Sequence, residues 1–129
     1  MFSIIIPTLN NLEYLKFCIN SILKNSEFNN EILVHVSEDF DKSTREYLKK
    51  KDIYFTYSEK NVGLCTAINT IAKKAKSSYL IYSHDDMYFC PNWEKPLKNE
   101  INKIQHKKFY ISGSMIEQNS RHIKFDCGS

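Results

Sequence analysis

The feature that most constrains the fold of this sequence is the alternation of short apolar runs with longer amphipathic segments. Four runs rich in β-branched and aromatic residues have the composition of strands that are buried on both faces. These predicted strands are Phe2–Ile6, which Pro7 closes, Glu31–Val36, Ile53–Tyr57 and Tyr79–Tyr82. Because a segment with helical spacing of its apolar residues follows each run, the pattern predicts an α/β fold. We expect a doubly wound, mostly parallel sheet with helices on both faces.

The helical segments carry start and stop signals of their own. The first expected helix is capped by Asn10 or Asn11 and ends at Asn25, and the second is capped by Asp41 or Ser43. The third runs from Leu64 to Ala75 after a turn at 61–63, and the fourth from Asn92 to His106. A fifth strand is expected at Phe109–Ser112.

Length and composition indicate one globular domain over residues 1–129, with 42% hydrophobic and 26% charged residues. The net charge of +3 comes from lysines spread over several segments, which is typical of solvated faces and not of a nucleic-acid interface. No apolar run approaches the roughly 20 residues that span a bilayer, so no transmembrane segment is expected. We therefore expect a cytoplasmic protein, with peripheral association at the membrane left open. The four cysteines form no C-x-x-C pair, so they predict neither a zinc site nor a redox motif.

Adjacent carboxylates directly after the fourth predicted strand, Asp85 and Asp86, are the strongest candidate for a functional site. In open α/β sheets, ligands bind beyond the carboxyl ends of the strands. Two neighbouring carboxylates repel each other unless a cation or hydrogen bonds compensate. Mg²⁺ or Mn²⁺ is the natural compensator, because hard cations prefer carboxylate oxygens and accept substrate phosphates as further ligands. The alternative is a solvated turn.

The other polar residues after the strands each have a simpler interpretation beside the functional one. Glu38 and Asp39 are either ligand-binding residues or favourable charges at the start of a helix. Asn61 is either a turn residue or a residue that faces a ligand. His84, beside the carboxylate pair, is more typical of a surface or hydrogen-bonding histidine than of a metal ligand.

Taken together, four segments resemble glycosyltransferase family 2, which has the GT-A fold. Ser3–Asn11 is similar to the opening strand and loop of the family, and Glu31–Val34 to its second strand. Asn61–Gly63 is similar to its Asn-x-Gly helix start, and Tyr79–Met87 to the strand that leads into its D-x-D-type metal motif. Each motif alone is weak, but the four occur in the right order and spacing.

The resemblance implies a glycosyltransferase that uses a nucleoside-diphosphate sugar, with a UDP-type donor favoured, and an inverting mechanism. It implies that Pro7 and Thr8 cradle the nucleobase, that Asp85 reaches the ribose or phosphate region, and that Asp86, with Asp85, binds Mn²⁺ or Mg²⁺. The substrate-binding set on this interpretation also includes Asn10, Glu38, Asp39 and Asn61. The acceptor is an unknown saccharide, lipid or protein, and formation of a homo-oligomer is left open.

The sequence departs from the family pattern at several points. Ser37 stands where the family usually has an acidic residue for base recognition, Ser83 replaces the first acid of the longer D-x-D-D pattern, and Ile68 replaces an arginine. The catalytic base of the family lies well downstream of the metal motif, so we expect it beyond Ser129, with Glu117 as a weak candidate inside the chain. These departures favour the donor-binding half of an enzyme, and we expect the 129-residue chain to be incomplete for catalysis on its own. The alternative is a non-catalytic nucleotide-sugar-binding or interaction module of the same fold.

Overall fold

The computed structural model describes residues 1–113 and has the α/β fold that the sequence predicts. The elements are β1 (Ser3–Leu9), α1 (Leu12–Asn25), β2 (Glu31–Ser37), α2 (Ser43–Lys50), β3 (Tyr54–Ser58), α3 (Leu64–Ala72), β4 (Leu80–Tyr82) and α4 (Glu94–Lys103). The chain divides into two compact units, one of Met1–Pro96 and a second that starts at Leu97. The sheet and the residues around it lie in the first unit. A single domain over 1–129 therefore stays a prediction.

The four strands form one parallel sheet in the order β3-β2-β1-β4. The chain moves outward from β1 to β2 and β3, and then crosses back to place β4 on the other side of β1. Such a reversal of strand order opens a crevice at the carboxyl ends of the two strands that flank it. The loops after β1 and β4 therefore meet at the point where α/β sheets usually bind their ligands.

Helices cover both faces of the sheet because alternate strand residues point to opposite sides. On one face, Ile4 and Ile6 pack with Leu15 and Ile19 of α1 and with Leu48 of α2. On the other face, Ile5 and Leu33 pack against Ile71 of α3. The predicted doubly wound architecture is confirmed by this arrangement.

The predicted end of the first strand at Pro7 is wrong, since β1 continues to Leu9. Proline is tolerated in a strand where its missing N–H is not needed for pairing. β4 pairs with Ser3, Ile4 and Ile5, so on that side no strand among residues 1–113 pairs with β1 at Pro7. On the other side Pro7 is aligned with His35 of β2.

The start of α2 also differs from the prediction, because neither Asp41 nor Ser43 occupies the cap position. Lys42 does, with a left-handed φ of 61°. The first N–H groups of the helix are satisfied from further upstream, by the carboxylates of Asp39 and Asp41. The helix start is thus built by two acidic side chains and not by one cap residue.

The later elements are shorter than expected. α3 ends at Ala72 instead of Ala75, and α4 covers only Glu94–Lys103. The expected strand at Phe109–Ser112 is wrong, because these residues have no strand structure and Tyr110 is 86% exposed. Strands need a partner for their backbone groups, and within the described chain none pairs with this segment.

The segment after β4 is attached to α1 and to the loop that follows it by a set of hydrogen bonds. Asn25 donates to the carbonyl of Phe89 at 2.7 Å, and the indole N–H of Trp93 donates to Ser26 at 3.2 Å. The carboxylate of Glu94, which is 2% exposed, accepts hydrogen bonds from three donors. These donors are the backbone N–H groups of Glu27 and Phe28 and the side-chain amide of Asn30.

We predict that Glu94→Ala lowers the free energy of unfolding by about 2 kcal/mol, because it removes the acceptor of three partly buried hydrogen bonds. Urea denaturation measures this difference. The control is Glu100→Ala, since Glu100 is exposed and its ion pair with Lys103 on the helix surface should contribute little. Equal losses in the two variants would contradict a structural role for the Glu94 carboxylate.

Candidate functional site

Asp85, the first acid after β4, is held in place by the end of β1 and by the loop that follows it. The hydroxyl of Thr8 donates to Oδ2 of Asp85 at 2.7 Å, and the side-chain amide of Asn11 donates to Oδ1 at 2.9 Å. Asn11 occupies the cap position of α1, but its side chain makes no capping hydrogen bond. Its amide is directed instead to Asp85, so the two loops at the crevice are joined through this carboxylate.

Asp86 has the opposite character. It is exposed, and no hydrogen bond or ion pair of its carboxylate occurs within residues 1–113. The same residues contain no group of three or more acidic, histidine or cysteine side chains that could hold a metal ion. A cation bound here would therefore take most of its ligands from water or from a substrate, as Mg²⁺ bound to substrate phosphates does.

Three side chains near the carboxylate pair are described by their hydrogen bonds and pKa values. The hydroxyl of Tyr82 lies 3.2 Å from Nδ1 of His84, so His84 is a hydrogen-bonding side chain. Burial, and then the negative charges of Asp85 and Asp86, raise the pKa of Tyr82. Beneath the loop, burial raises the pKa of the Cys18 thiol to about 11, so this thiol is protonated at neutral pH.

Asp39, predicted to bind substrate, uses its carboxylate within the protein. It is 4% exposed, and it accepts hydrogen bonds from the backbone N–H groups of Thr44 and Arg45 at 3.1 and 3.0 Å. Its Oδ2 also accepts from Nε of Arg45 at 3.0 Å, and the guanidinium of Arg45 lies 3.8 Å from the ring centroid of Tyr57. The structure therefore places Asp39 at the helix start, and a contact with substrate stays a prediction.

A cavity of about 220 Å³ lies between the loops after β1 and β2. Its lining is polar except for one leucine, and it consists of Asn10, Leu12, Asp39, Asp41, Ser43 and Thr44. Hydrogen bonds from the hydroxyl and the backbone N–H of Ser43 lower the pKa of Asp41. Two of the predicted substrate-binding residues, Asn10 and Asp39, are thus brought together in one cavity.

The remaining predicted residues lie at the same end of the sheet. Pro7 is half-buried in β1, and Glu38 adopts a left-handed φ of 52° directly after β2. Asn61 is exposed and accepts a hydrogen bond from the N–H of Gly63 at 2.9 Å, which is the geometry of a turn. Glu117 lies outside the described residues.

A polar cluster inside the sheet was not anticipated from the sequence. His35, in the middle of β2, is 3% exposed, and its ring nitrogens lie 2.7 Å from the hydroxyl of Thr56 and 3.1 Å from that of Ser58. The signal in the sequence was a histidine in an apolar run, opposite a strand in which Thr56 and Ser58 are two residues apart and so share a face.

The sequence matches the model of glycosyl transferase family 2 over residues 3–125, so the chain belongs to this family. It is similar to an uncharacterized glycosyltransferase of Rickettsia typhi, with 32% identity over 126 residues. A second relative, an uncharacterized glycosyltransferase of Rickettsia prowazekii, is 34% identical over 125 residues. These matches cover 95% and 94% of this chain but only 39% of each relative.

Solved structures share the fold. Residues 1–349 of TarS from S. aureus superpose with a TM-score of 0.68 at 22% identity, covering 79% of this chain and 32% of that one. The same protein in complex with UDP gives a TM-score of 0.67 at 23% identity. The mannosyltransferase PcManGT from Pyrobaculum calidifontis, in complex with GDP-Man and Mn²⁺, gives 0.63 at 19% identity and covers 81% of this chain.

Among residues 1–113, no helix combines the length and the apolar character that crossing a bilayer requires.

We predict that His35 makes the stability of the protein depend on pH. Burial lowers the pKa of this ring below its ordinary value of about 6.5. The unfolded chain therefore takes up the proton at a higher pH than the folded chain does. Stability is complete above the unfolded value and falls as the pH drops from there towards the folded value.

Urea unfolding of wild type and His35→Gln at about pH 7.5 and about pH 5.5 checks this expectation, because glutamine does not titrate. The variant should lose less stability than wild type between the two values. An equal loss in both proteins would show that the other titrating groups account for the whole effect.

Proposed function

We propose that this chain is the donor-binding part of a glycosyltransferase that uses a nucleoside-diphosphate sugar and a divalent metal ion. One observation carries the proposal: at the crevice between β1 and β4, Asp85 is fixed by Thr8 and Asn11, while the neighbouring Asp86 is exposed and unpaired within residues 1–113. One carboxylate is positioned by the protein, and the other is available to a ligand.

The chemistry of the donor suits this arrangement. Transfer of the sugar releases a nucleoside diphosphate, and a metal ion on its oxygens would stabilise the charge that develops on the leaving group. Asp86, with Asp85 behind it, would hold Mn²⁺ or Mg²⁺. Because the side chains here supply few ligands, the diphosphate would supply others, and metal and donor would bind together.

The nucleobase would bind at the cavity between the loops after β1 and β2. Its volume of about 220 Å³ and its mostly polar lining suit a planar group with hydrogen-bonding edges. The structural neighbours in complex with UDP and with GDP-Man support a nucleotide-sugar donor in general terms. A UDP-type donor, bound with help from Pro7, Thr8, Asn10, Glu38, Asp39 and Asn61, is the specific form that we propose.

Attack by the acceptor hydroxyl requires further groups, besides those that hold the donor. An inverting transfer needs a carboxylate base near the acceptor hydroxyl, and general-base catalysis typically contributes about 10² to 10⁴ in rate. The chain spans between 19% and 39% of the length of the curated relatives that it matches, so on this proposal the acceptor site and the base belong to further sequence or to a second chain. The acceptor would be a saccharide, lipid or protein hydroxyl.

We predict that binding of UDP to this chain requires Mn²⁺ and that Asp86→Ala removes the metal-dependent part of the affinity. Without a cation, the two carboxylates would repel the diphosphate. Titration calorimetry with and without Mn²⁺ measures the effect, which should be at least about tenfold in Kd, or about 1.4 kcal/mol.

The matched control for this experiment is Glu46→Ala, which removes an exposed carboxylate from α2. It should bind UDP as wild type does. The metal assignment fails if Asp86→Ala and wild type show the same Mn²⁺ dependence. Metal-dependent binding by a longer form that transfers no sugar would instead favour a non-catalytic nucleotide-sugar-binding module.

We also predict that Glu38→Ala and Asp39→Ala differ in their effects. Glu38→Ala should change the preference among uridine, guanosine and cytidine diphosphates with little effect on stability. Asp39→Ala should lower the free energy of unfolding by about 2 kcal/mol. It leaves the backbone N–H groups of Thr44 and Arg45 without their acceptor and removes the carboxylate that pairs with the Arg45 side chain. Competition binding and urea unfolding measure the two properties. Unchanged base preference in Glu38→Ala would remove that residue from the proposed base site.

A further inference from the structure

Four polar side chains of β2 and β3 form a connected cluster that the proposed function does not use directly. His35 and Ser37 lie two residues apart on β2, and they are aligned with Thr56 and Ser58 on β3. His35 contacts both Thr56 and Ser58, and Ser58 lies 3.3 Å from the hydroxyl of Ser37. The cluster ends at the carboxyl edge of the sheet, where Ser58 donates to the carbonyl of Lys60 at 2.8 Å.

The chemistry of these groups sets the direction of the hydrogen bonds. A carbonyl oxygen only accepts, so the single hydroxyl hydrogen of Ser58 is directed to Lys60, and in the longer contact with Ser37 the hydroxyl of Ser37 is the donor. Oγ of Ser58 must then accept from Nε2 of His35, which places the hydrogen of the neutral ring on Nε2. Nδ1 of His35 is left as an acceptor, and the hydroxyl of Thr56 donates to it. The chain of bonds therefore runs in one direction, from Thr56 through His35 and Ser58 to Lys60.

The last bond of this chain reaches the loop that leads into α3. Lys60 begins the exposed segment that continues through Asn61 to Gly63, where a left-handed φ of 84° precedes the first turn of the helix. Within this segment Asn61 accepts from the N–H of Gly63. The contact between Ser58 and Lys60 thus attaches a short solvent-exposed loop to the rigid end of β3.

We infer that His35 is a positioning residue of the donor site, which acts through Ser58 to hold the loop of residues 60–63 in its binding conformation. The inference rests on the proposed function, in which Asn61 contacts the donor. Burying an imidazole costs free energy that an aliphatic side chain in the same strand would not cost. The ring of His35 fixes the hydroxyl of Ser58, and through it the carbonyl of Lys60. An aliphatic residue could not do this.

Two substitutions, each of which reproduces the position of one ring nitrogen of His35, separate this role from simple packing. Glutamine reaches about as far as Nε2 of histidine and can donate to Ser58, whereas asparagine reaches only as far as Nδ1. In calorimetry with UDP and Mn²⁺, His35→Asn should weaken binding about tenfold, the effect of losing about one hydrogen bond in a buried network. His35→Gln should stay within about twofold of wild type. Ser58→Ala, which removes the link itself, should resemble His35→Asn.

A control variant and a spectroscopic measurement complete the test. Thr56→Val removes the other partner of His35, so it should lower stability in urea without the loss of UDP affinity. Nitrogen-15 spectra of the ligand-free protein should show the His35 ring as the tautomer protonated on Nε2. Hydrogen exchange at the N–H of Gly63 should be faster in His35→Asn and Ser58→Ala than in wild type and His35→Gln.

The outcomes separate this inference from the proposed function. If wild type binds UDP and His35→Asn binds it equally well, the positioning role is wrong. If wild type binds no UDP, the proposed function fails, and the exchange rates alone test whether His35 holds the loop of residues 60–63. Faster exchange at Gly63 in His35→Asn than in His35→Gln supports that role, and equal rates overturn it. A ring protonated on Nδ1 would also overturn it, because Nε2 could not then donate to Ser58.

Discussion

The arrangement of this end of the molecule depends on the two hydrogen bonds that Asp85 accepts from Thr8 and Asn11. They connect residues that are more than seventy positions apart in the sequence, at the place where the strand order reverses. Strand pairing alone aligns β4 with only three residues of β1, so it leaves the course of the following loop open. The two donors fix that course. They also spread the charge of one carboxylate, which reduces the cost of placing a second beside it.

The loop after β4 is also held at its far end, by contacts of a different kind. Near the crevice, the carboxylate of Asp85 accepts from Thr8 of β1 and from Asn11, the residue before α1. At the other end, the buried carboxylate of Glu94 accepts from the backbone of the loop after α1. Helix α1 therefore lies along a segment attached near both of its ends. Precise placement of a carboxylate that is proposed to bind a metal ion requires a framework of this kind.

Much of the fold could be predicted because it depends on local pattern. The apolar runs and helical spacings predicted the order of the first four strands and of the helices, and the acids after the fourth run predicted the candidate site. The course of β1 through Pro7 could not be predicted, because it depends on how short β4 is. The hydrogen bond from Asn11 to Asp85 could not be predicted either, since an asparagine before a helix predicts a cap. Only the tertiary structure directs its amide to Asp85. His35 and Glu94 share this limitation: their importance comes from partners distant in the sequence.

The shortness of β4 has a consequence for how the protein behaves in concentrated solution. In the described sheet β4 is an outer strand, and Leu80 and Tyr82 on it are 51% and 42% exposed. A long, flat outer strand would offer its free backbone groups as a template for other chains and promote aggregation. With three residues, β4 offers a foreign strand too few hydrogen bonds for stable pairing. The loop that follows carries Asp85 and Asp86, and these two carboxylates beside the end of β4 add like-charge repulsion against a second copy that approaches this edge of the described sheet.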